Sequence, residues 1–143
     1  MKKTILYLIL SLTSFVSLPI IANAAPIQLT VYKDANCSCC TEWISYMEKS
    51  GYKIKVVTSE NINNIKVKYN IPDALKSCHT SIIESSGQLI EGHVPVNAVE
   101  KLVKSPNIKG ISVPGMEANS PGMGKMDGNL ITMDFKNNIF SKD

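Results

Sequence analysis

Arginine is absent. All fifteen basic residues are lysines, so the planar, bidentate grip on carboxylate or phosphate that a guanidinium supplies is not open to this chain. An excess of charge of one sign is also missing. Removing Lys2 and Lys3 of the N-terminal leader takes the formal net charge from +3 to +1, and that balance gives no electrostatic footing for nucleic-acid binding. Nor are cysteines spread along the chain as in a small disulfide-stapled fold: three of the four fall within the four residues Cys37-Ser38-Cys39-Cys40. A disulfide stabilises chiefly by closing a long loop in the unfolded state, and these three close almost none. Low-complexity segments and long repeats are lacking; only a tripeptide recurs, as Pro114-Gly115-Met116 and Pro121-Gly122-Met123.

The one long apolar run is at the start. Residues 1–24 read as a secretory signal peptide, with Lys2 and Lys3 as the charged end, an apolar stretch from Ile5 to Ile21, and Ala22-Asn23-Ala24 as the cleavage site. Ser11, Thr13, Ser14, Ser17 and Pro19 interrupt that stretch and disfavour a retained anchor, so no stable membrane insertion is expected after cleavage. No cysteine stands at the new N-terminus to carry a lipid. Cleavage leaves residues 25–143 as a single domain, long enough for one core and too short for two. In an oxidising compartment unprotected thiols pair or oxidise, so clustered cysteines there call for a chemical role.

Ile27 to Lys33 alternates apolar and polar residues as a half-buried strand does. A turn at Asp34-Ala35-Asn36 leads into a helical pattern from Cys39 or Cys40 to Ser50, carrying Trp43 and Met47 on one face and stopped by Gly51. Tyr52 to Thr58 is a second strand. Ser59 is placed to cap a helix reaching Tyr69, with Ile62, Ile65 and Tyr69 on one face. Pro72 to Ser77 reads as a loop. Cys78 to Ile83 and Gln88 to Glu91 form a hairpin around Ser85-Ser86-Gly87, and Pro95 opens a helix whose Val96, Val99, Leu102 and Val103 share a face. After Lys104 the chain reads as irregular through Ser105-Pro106-Asn107, then carries the two Pro-Gly-Met copies and a terminal hairpin, Asn129 to Phe135 and Ile139-Phe140. The class is α/β, and the order β-α-β-α-β-β-α is that of a thioredoxin-like domain, here with a C-terminal extension; the cysteines stand where that fold places its active site.

Two chemistries fit the cluster: a Cys-x-x-Cys redox pair, Cys37 and Cys40, or a thiolate metal site. A helix N-terminus lowers thiol pKa and serves either. Cys39, lying between the pair, is a competing nucleophile in disulfide exchange. Three thiolates on one loop suit a soft ion whose neighbours can share sulfurs, and Cu(I) also accepts imidazole and thioether. Cys78 beside His79 is the candidate to complete the set. Met116 and Met123, repeated in one motif, are candidate thioether ligands, although methionine more often fills a core; His93 stands in a loop where histidine is as often merely hydrogen-bonded. Structural zinc sites pair two separated knuckles, and this chain has one cluster. Trp43, Met47 and Met133 are expected in the core. Asp73, Glu84 and Glu91 form no acid-base pair, and the Lys66-Lys68 and Lys101-Lys104 charges read as solvated helix faces.

Taken together, Tyr32-Lys33 running into Cys37-Ser38-Cys39-Cys40, Trp43, Gly51-Tyr52, Ser77-Cys78-His79-Thr80, Ile90-Glu91-Gly92-His93-Val94-Pro95, Val113-Pro114-Gly115-Met116 and Ser120-Pro121-Gly122-Met123 resemble the CopG-like periplasmic copper-resistance proteins. The resemblance covers nearly all of the chain after the leader. It implies a thioredoxin-like domain that has exchanged disulfide chemistry for copper, in the periplasm, holding more than one copper ion on Cys37, Cys39, Cys40, Cys78 and His79, with Met116, Met123 and His93 as further ligands. Interconversion of Cu(I) and Cu(II), and copper efflux or other resistance proteins as partners, are also implied. Cys78-His79-Thr80 stands where a thioredoxin would carry its cis-proline. The reading is therefore an exported Cu(I)-binding protein of copper resistance. The alternatives are a periplasmic thiol-disulfide oxidoreductase using Cys37 and Cys40, and a copper chaperone that transfers ions without turnover.

Overall fold

The computed structural model describes residues 25–143, so the predicted leader lies outside the described residues. The elements are β1 (Gln28–Lys33), α1 (Ser38–Lys49), β2 (Lys53–Thr58), α2 (Ile62–Lys68), a single 3-10 turn (Asp73–Leu75), β3 (Thr80–Ile83), β4 (Leu89–Glu91), α3 (Val96–Val103), β5 (Gly110–Ser112), β6 (Ile131–Asp134) and β7 (Ile139–Lys142). All seven strands form one mixed sheet in the order β2-β1-β3-β4-β5-β6-β7. β1 pairs parallel with β2 and antiparallel with β3, β3 pairs antiparallel with β4, and β4 pairs parallel with β5. The terminal hairpin of β6 and β7 extends the sheet beyond β5.

Because side chains alternate along a strand, the register separates the two faces. Leu29 opposite Ile83, and Ser81 opposite Ile90 opposite Ile111, line one face. Against it pack Trp43, Ile44 and Met47 of α1 and Ala98, Val99 and Leu102 of α3, giving one continuous apolar core. The other face carries Thr30, Tyr32, Thr80 and Glu91, and α2 lies over it. β1 is thus covered on both sides, and Thr30 and Lys33 are buried together with Leu29 and Val31. The alternation in the sequence is real, but of its polar half only Gln28 is exposed, Thr30 being buried and Tyr32 packed on Tyr69 after α2, while Lys33 turns to the loop that follows β1. Lys33 satisfies its ammonium there by donating to the carbonyls of Asp34 at 2.9 Å and Ala35 at 3.4 Å, ahead of the cysteines.

Several expectations need correction. The cap of α2 is Asn61, whose Oδ1 accepts from the N–H groups of Asn63 and Asn64, while Ser59 Oγ accepts from Asn61 N–H. Lys66 is not on a solvated face: it is 2% exposed and points into the sheet. Glu91 is its buried partner, an ion pair that the sequence reading does not anticipate. Val103 turns outward because α3 ends at it, and Ala98 takes its place on the buried face. Met133 is half-buried at the edge of a surface cavity with Leu130 and Ile131, outside the core. β5 falls just after Ser105-Pro106-Asn107, in a stretch to which the sequence reading assigns no element. Its three residues are too few to establish a period, and neighbours on both sides bury it completely.

Candidate metal centre

Cys37 is the N-cap of α1, and its Sγ accepts from the Cys40 N–H at 3.3 Å. No acidic residue occupies the first turn, so the positive end of the helix faces sulfur alone. Cys37 and Cys40 are joined as a disulfide with their Cα atoms 5.3 Å apart. Cys39 is free, with its sulfur 3.6 Å from that of Cys37. The strand-to-helix junction read from the sequence is therefore where the cluster sits, between β1 and α1.

The remaining donors flank β3 and β4, the strands that follow β1 in the sheet order. Cys78 and His79 immediately precede β3, and His93 follows β4, which pairs with it. Cys78 Sγ lies 3.0 Å from His93 Nε2 and 3.6 Å from His79 Nδ1. His93 Nδ1 is 2.7 Å from the Pro121 carbonyl oxygen. A carbonyl only accepts, so Nδ1 carries the hydrogen and Nε2 keeps its lone pair facing the Cys78 sulfur. That arrangement, a ring N–H anchored to a carbonyl and the other nitrogen's lone pair directed at the Cys78 sulfur, is how metal-binding histidines are held.

His79 is fully buried between the rings of Trp43, 4.5 Å away, and His93, 5.1 Å away. Its Nε2 has no hydrogen-bond partner, an unusual state for a buried polar atom. Burial, reinforced by repulsion from His93, Lys66 and Lys33, holds the His79 pKa well below the ordinary histidine value. Burial likewise lowers that of His93, against the opposing pull of the Pro121 carbonyl. Both rings are neutral at pH 7, the form that binds metal. Burial, followed by the neighbouring Cys39 thiol, pushes the Cys78 pKa up to about 11, so this sulfur keeps its proton until a cation takes the proton's place.

Two sets of four donors result. Cys37, Cys39, Cys40 and Cys78 form one, and Cys40, Cys78, His79 and His93 form the other, with ligand atoms in each set within 4.8 Å of one another. Cys40 and Cys78 belong to both. Two ions held side by side would share these sulfurs, which thiolates do and imidazoles do not. The His79 ring with its Nδ1 toward the Cys78 sulfur, the fixed His93 tautomer and the sulfur-rich set all fit a soft metal. Because Cys40 belongs to both sets, full use of either one requires the Cys37–Cys40 bond to be reduced.

Two solved structures, both of a copper resistance protein CopG in forms 1 and 2, are each 31% identical to this chain, with TM-scores of 0.72 and 0.73; the alignments cover 82% of this chain and 98% of theirs. The chain belongs to the CopG family. A family model described as a protein of unknown function, DUF411, matches residues 75–123, a span that contains Cys78, His79, His93 and both Pro-Gly-Met motifs. A search of curated proteins found no match. Among the described residues no helix is long and apolar enough to cross a membrane.

Within this CopG-family chain the two Pro-Gly-Met motifs act on the centre through backbone. The first brings Gly115 alongside Ser77 in a parallel bridge, its N–H donating to the Lys76 carbonyl at 3.2 Å and its own carbonyl accepting from Ser77 Oγ. The second supplies the Pro121 carbonyl to His93 and seats Gly122 on the first turn of α1. Met116 is 66% exposed and, with Cys78, Ser77 and Lys66, lines a surface depression of about 350 Å³. Met123 is half-buried in the turn that follows Pro121. Lys66, Glu91 and Pro121 are the neighbours of the centre that the sequence reading missed. Lys66 had a signal, since it lies on the same stripe of α2 as Ile62 and Tyr69. The Pro121 contact had none, because a carbonyl has no side-chain signature.

Gly122 has φ +83°, and a Cβ there would lie 2.7 Å from Trp43 N and 2.9 Å from the Cys39 carbonyl oxygen. Both the left-handed backbone and the contact with helix backbone oppose a side chain. Gly122→Ala is expected to destabilise the reduced, metal-free protein by about 2 kcal/mol or more. Chemical denaturation measures this, and stability equal to wild type would mean that the loop does not seat on α1.

Proposed function

We propose that the chain is an exported copper-binding protein of copper resistance, which holds Cu(I) as a thiolate-bridged pair or larger cluster on Cys37, Cys39, Cys40 and Cys78, completed by His79 and His93. The observation that carries this reading is the sharing of Cys40 and Cys78 between two four-donor sets. A single tetrahedral ion would leave donors idle, whereas adjacent soft ions use all six. Membership in the CopG family, whose solved members are named copper resistance proteins, supports copper as the metal and resistance as the setting. The thioethers of Met116 and Met123 are supplementary ligands in this reading, with Met116 at the rim of the depression beside Cys78. The same reading takes residues 1–24 as the leader and residues 25–143 as one thioredoxin-like domain released into the periplasm. Copper is the cargo, and efflux or other resistance proteins are the partners that deliver or collect it.

A second reading is favoured by one specific observation, the Cys37–Cys40 disulfide. On that reading the pair exchanges electrons with protein thiols, and the histidines only pack.

The experiment that decides is metal analysis of protein expressed from the full coding sequence, reduced anaerobically, offered Cu(I) with competing zinc and a Cu(I) chelator, and desalted. More than one retained copper per chain, with zinc excluded, is the expected result. No retained metal, together with clean cycling of Cys37 and Cys40 between dithiol and disulfide in a thiol buffer, would replace the copper reading by the oxidoreductase.

A further inference from the structure

The segment that carries Cys78 and His79 is tied down at both ends by one carboxylate. Glu91 Oε1 accepts from the Ser77 backbone N–H at 2.7 Å, and Glu91 Oε2 accepts from the Thr80 hydroxyl at 2.6 Å. Ser77 immediately precedes Cys78, and Thr80 immediately follows His79. The Lys66 ammonium pairs with Glu91 Oε1 and also donates to Thr80 Oγ1 at 3.2 Å. Both charged side chains are buried, as is Thr80. The tie therefore joins three elements, α2 through Lys66, β3 through Thr80 and β4 through Glu91, at the point where the two candidate ligands leave the sheet.

Stability alone does not account for this arrangement. Desolvation offsets most of the attraction within a buried ion pair, and apolar replacements of similar volume are often neutral or better. What an apolar pair lacks is an acceptor for the Ser77 N–H and the Thr80 O–H. The segment has other tethers, the Gly92 N–H to the His79 carbonyl at 2.9 Å and Ser77 Oγ to the Gly115 carbonyl, but neither joins one end of it to the other. We infer that Glu91, with Lys66 as its counter-charge, is a positioning residue that holds Cys78 and His79 at the spacing the metal centre needs. This inference rests on the proposed copper function and adds to it residues that do not touch the ion.

The test compares wild type with K66M/E91L and K66M/E91Q. In the second variant the carboxamide introduced at position 91 can still accept from Ser77 N–H through its oxygen and donate to Thr80 through its nitrogen. Cu(I) affinity is measured by chelator competition on the reduced protein, and sulfur and nitrogen coordination by X-ray absorption of the copper-loaded forms. K66M/E91L is expected to bind Cu(I) about 10- to 100-fold more weakly, the usual cost of removing a partner that orients a ligand, and to lose sulfur and imidazole coordination. K66M/E91Q is expected to recover most of both. Wild-type affinity and ligand count in K66M/E91L would overturn the inference, as would a K66M/E91Q variant no better than K66M/E91L. Thr80→Val, which cuts one end of the tie without leaving a charge unpaired, carries the test if K66M/E91L does not fold: reduced affinity supports the inference, and unchanged affinity overturns it. Failure of the wild type itself to retain copper would overturn the copper reading, and the inference with it, and is recognised from that arm alone.

Discussion

Cys78→Ser is expected to reduce Cu(I) binding more than Cys39→Ser does. Cys78 belongs to both donor sets, whereas Cys39 belongs to one, so its loss removes a bridging sulfur and breaks the connection between the α1 triad and the histidines. The hydroxyl that replaces it is a hard, protonated oxygen that a soft ion does not favour. The expected loss of affinity exceeds the roughly 10- to 100-fold attached to an orienting partner, with fewer ions retained per chain. Cys39→Ser should keep the Cys40, Cys78, His79 and His93 set and retain more copper. Competition with a Cu(I) chelator under anaerobic conditions, paired with copper and protein analysis after desalting, ranks the two. Equal retention by Cys78→Ser and wild type would show that the second segment plays no part. Cys78 is only half-buried and the change is nearly isosteric, so the fold should survive for the comparison.

The largest effect on stability is expected from Glu91→Leu alone. It leaves the Lys66 ammonium buried without its carboxylate, and it strips the Ser77 N–H and the Thr80 hydroxyl of their acceptor. Removing one member of a buried pair costs about 3–5 kcal/mol, a large share of the roughly 5–15 kcal/mol by which a domain is stable at all. The melting temperature should fall by on the order of 10–20 °C. Adding Lys66→Met to this variant should restore most of the loss, since the uncompensated charge is then gone. Thermal or denaturant unfolding of the reduced, metal-free proteins reads both steps. A Glu91→Leu protein as stable as wild type would show that Lys66 escapes to water, and that the pair is not a closed contact.

That pair also marks where the sequence stops being legible. The cysteine cluster, its place between β1 and α1, the hairpin that presents Cys78 and His79, and the terminal hairpin can all be read from period, caps and turns, because each is a local pattern. Lys66 is not local in that sense. A lysine between Ile65 and Val67 on a short helix reads as surface until it is known that α2 crosses the sheet over Thr80 and Glu91, although its position on the stripe of Ile62 and Tyr69 is a trace of that. His93 shows the same limit. Its motif is visible, but its fitness as a ligand depends on which ring nitrogen is protonated, and that is set by the carbonyl of Pro121, far along the chain. β5 escapes for the opposite reason: three residues carry no period, and only the strands on either side of them make a strand of Gly110–Ser112.

The six donors differ in how early they become neighbours. Cys37, Cys39 and Cys40 are close in any conformation of the chain, even an unfolded one. Cys78, His79 and His93 join them only after β3 and β4 have paired and α1 has docked. A thiophilic ion that met the chain before folding would therefore already find a three-sulfur trap. Such an ion strengthens the folded state only by the margin with which the complete set outbinds that triad. The contribution of metal to the survival of this protein is thus set by the late-arriving ligands, and the timing of metal encounter relative to folding decides whether the ion is first held by the triad alone or by the finished site.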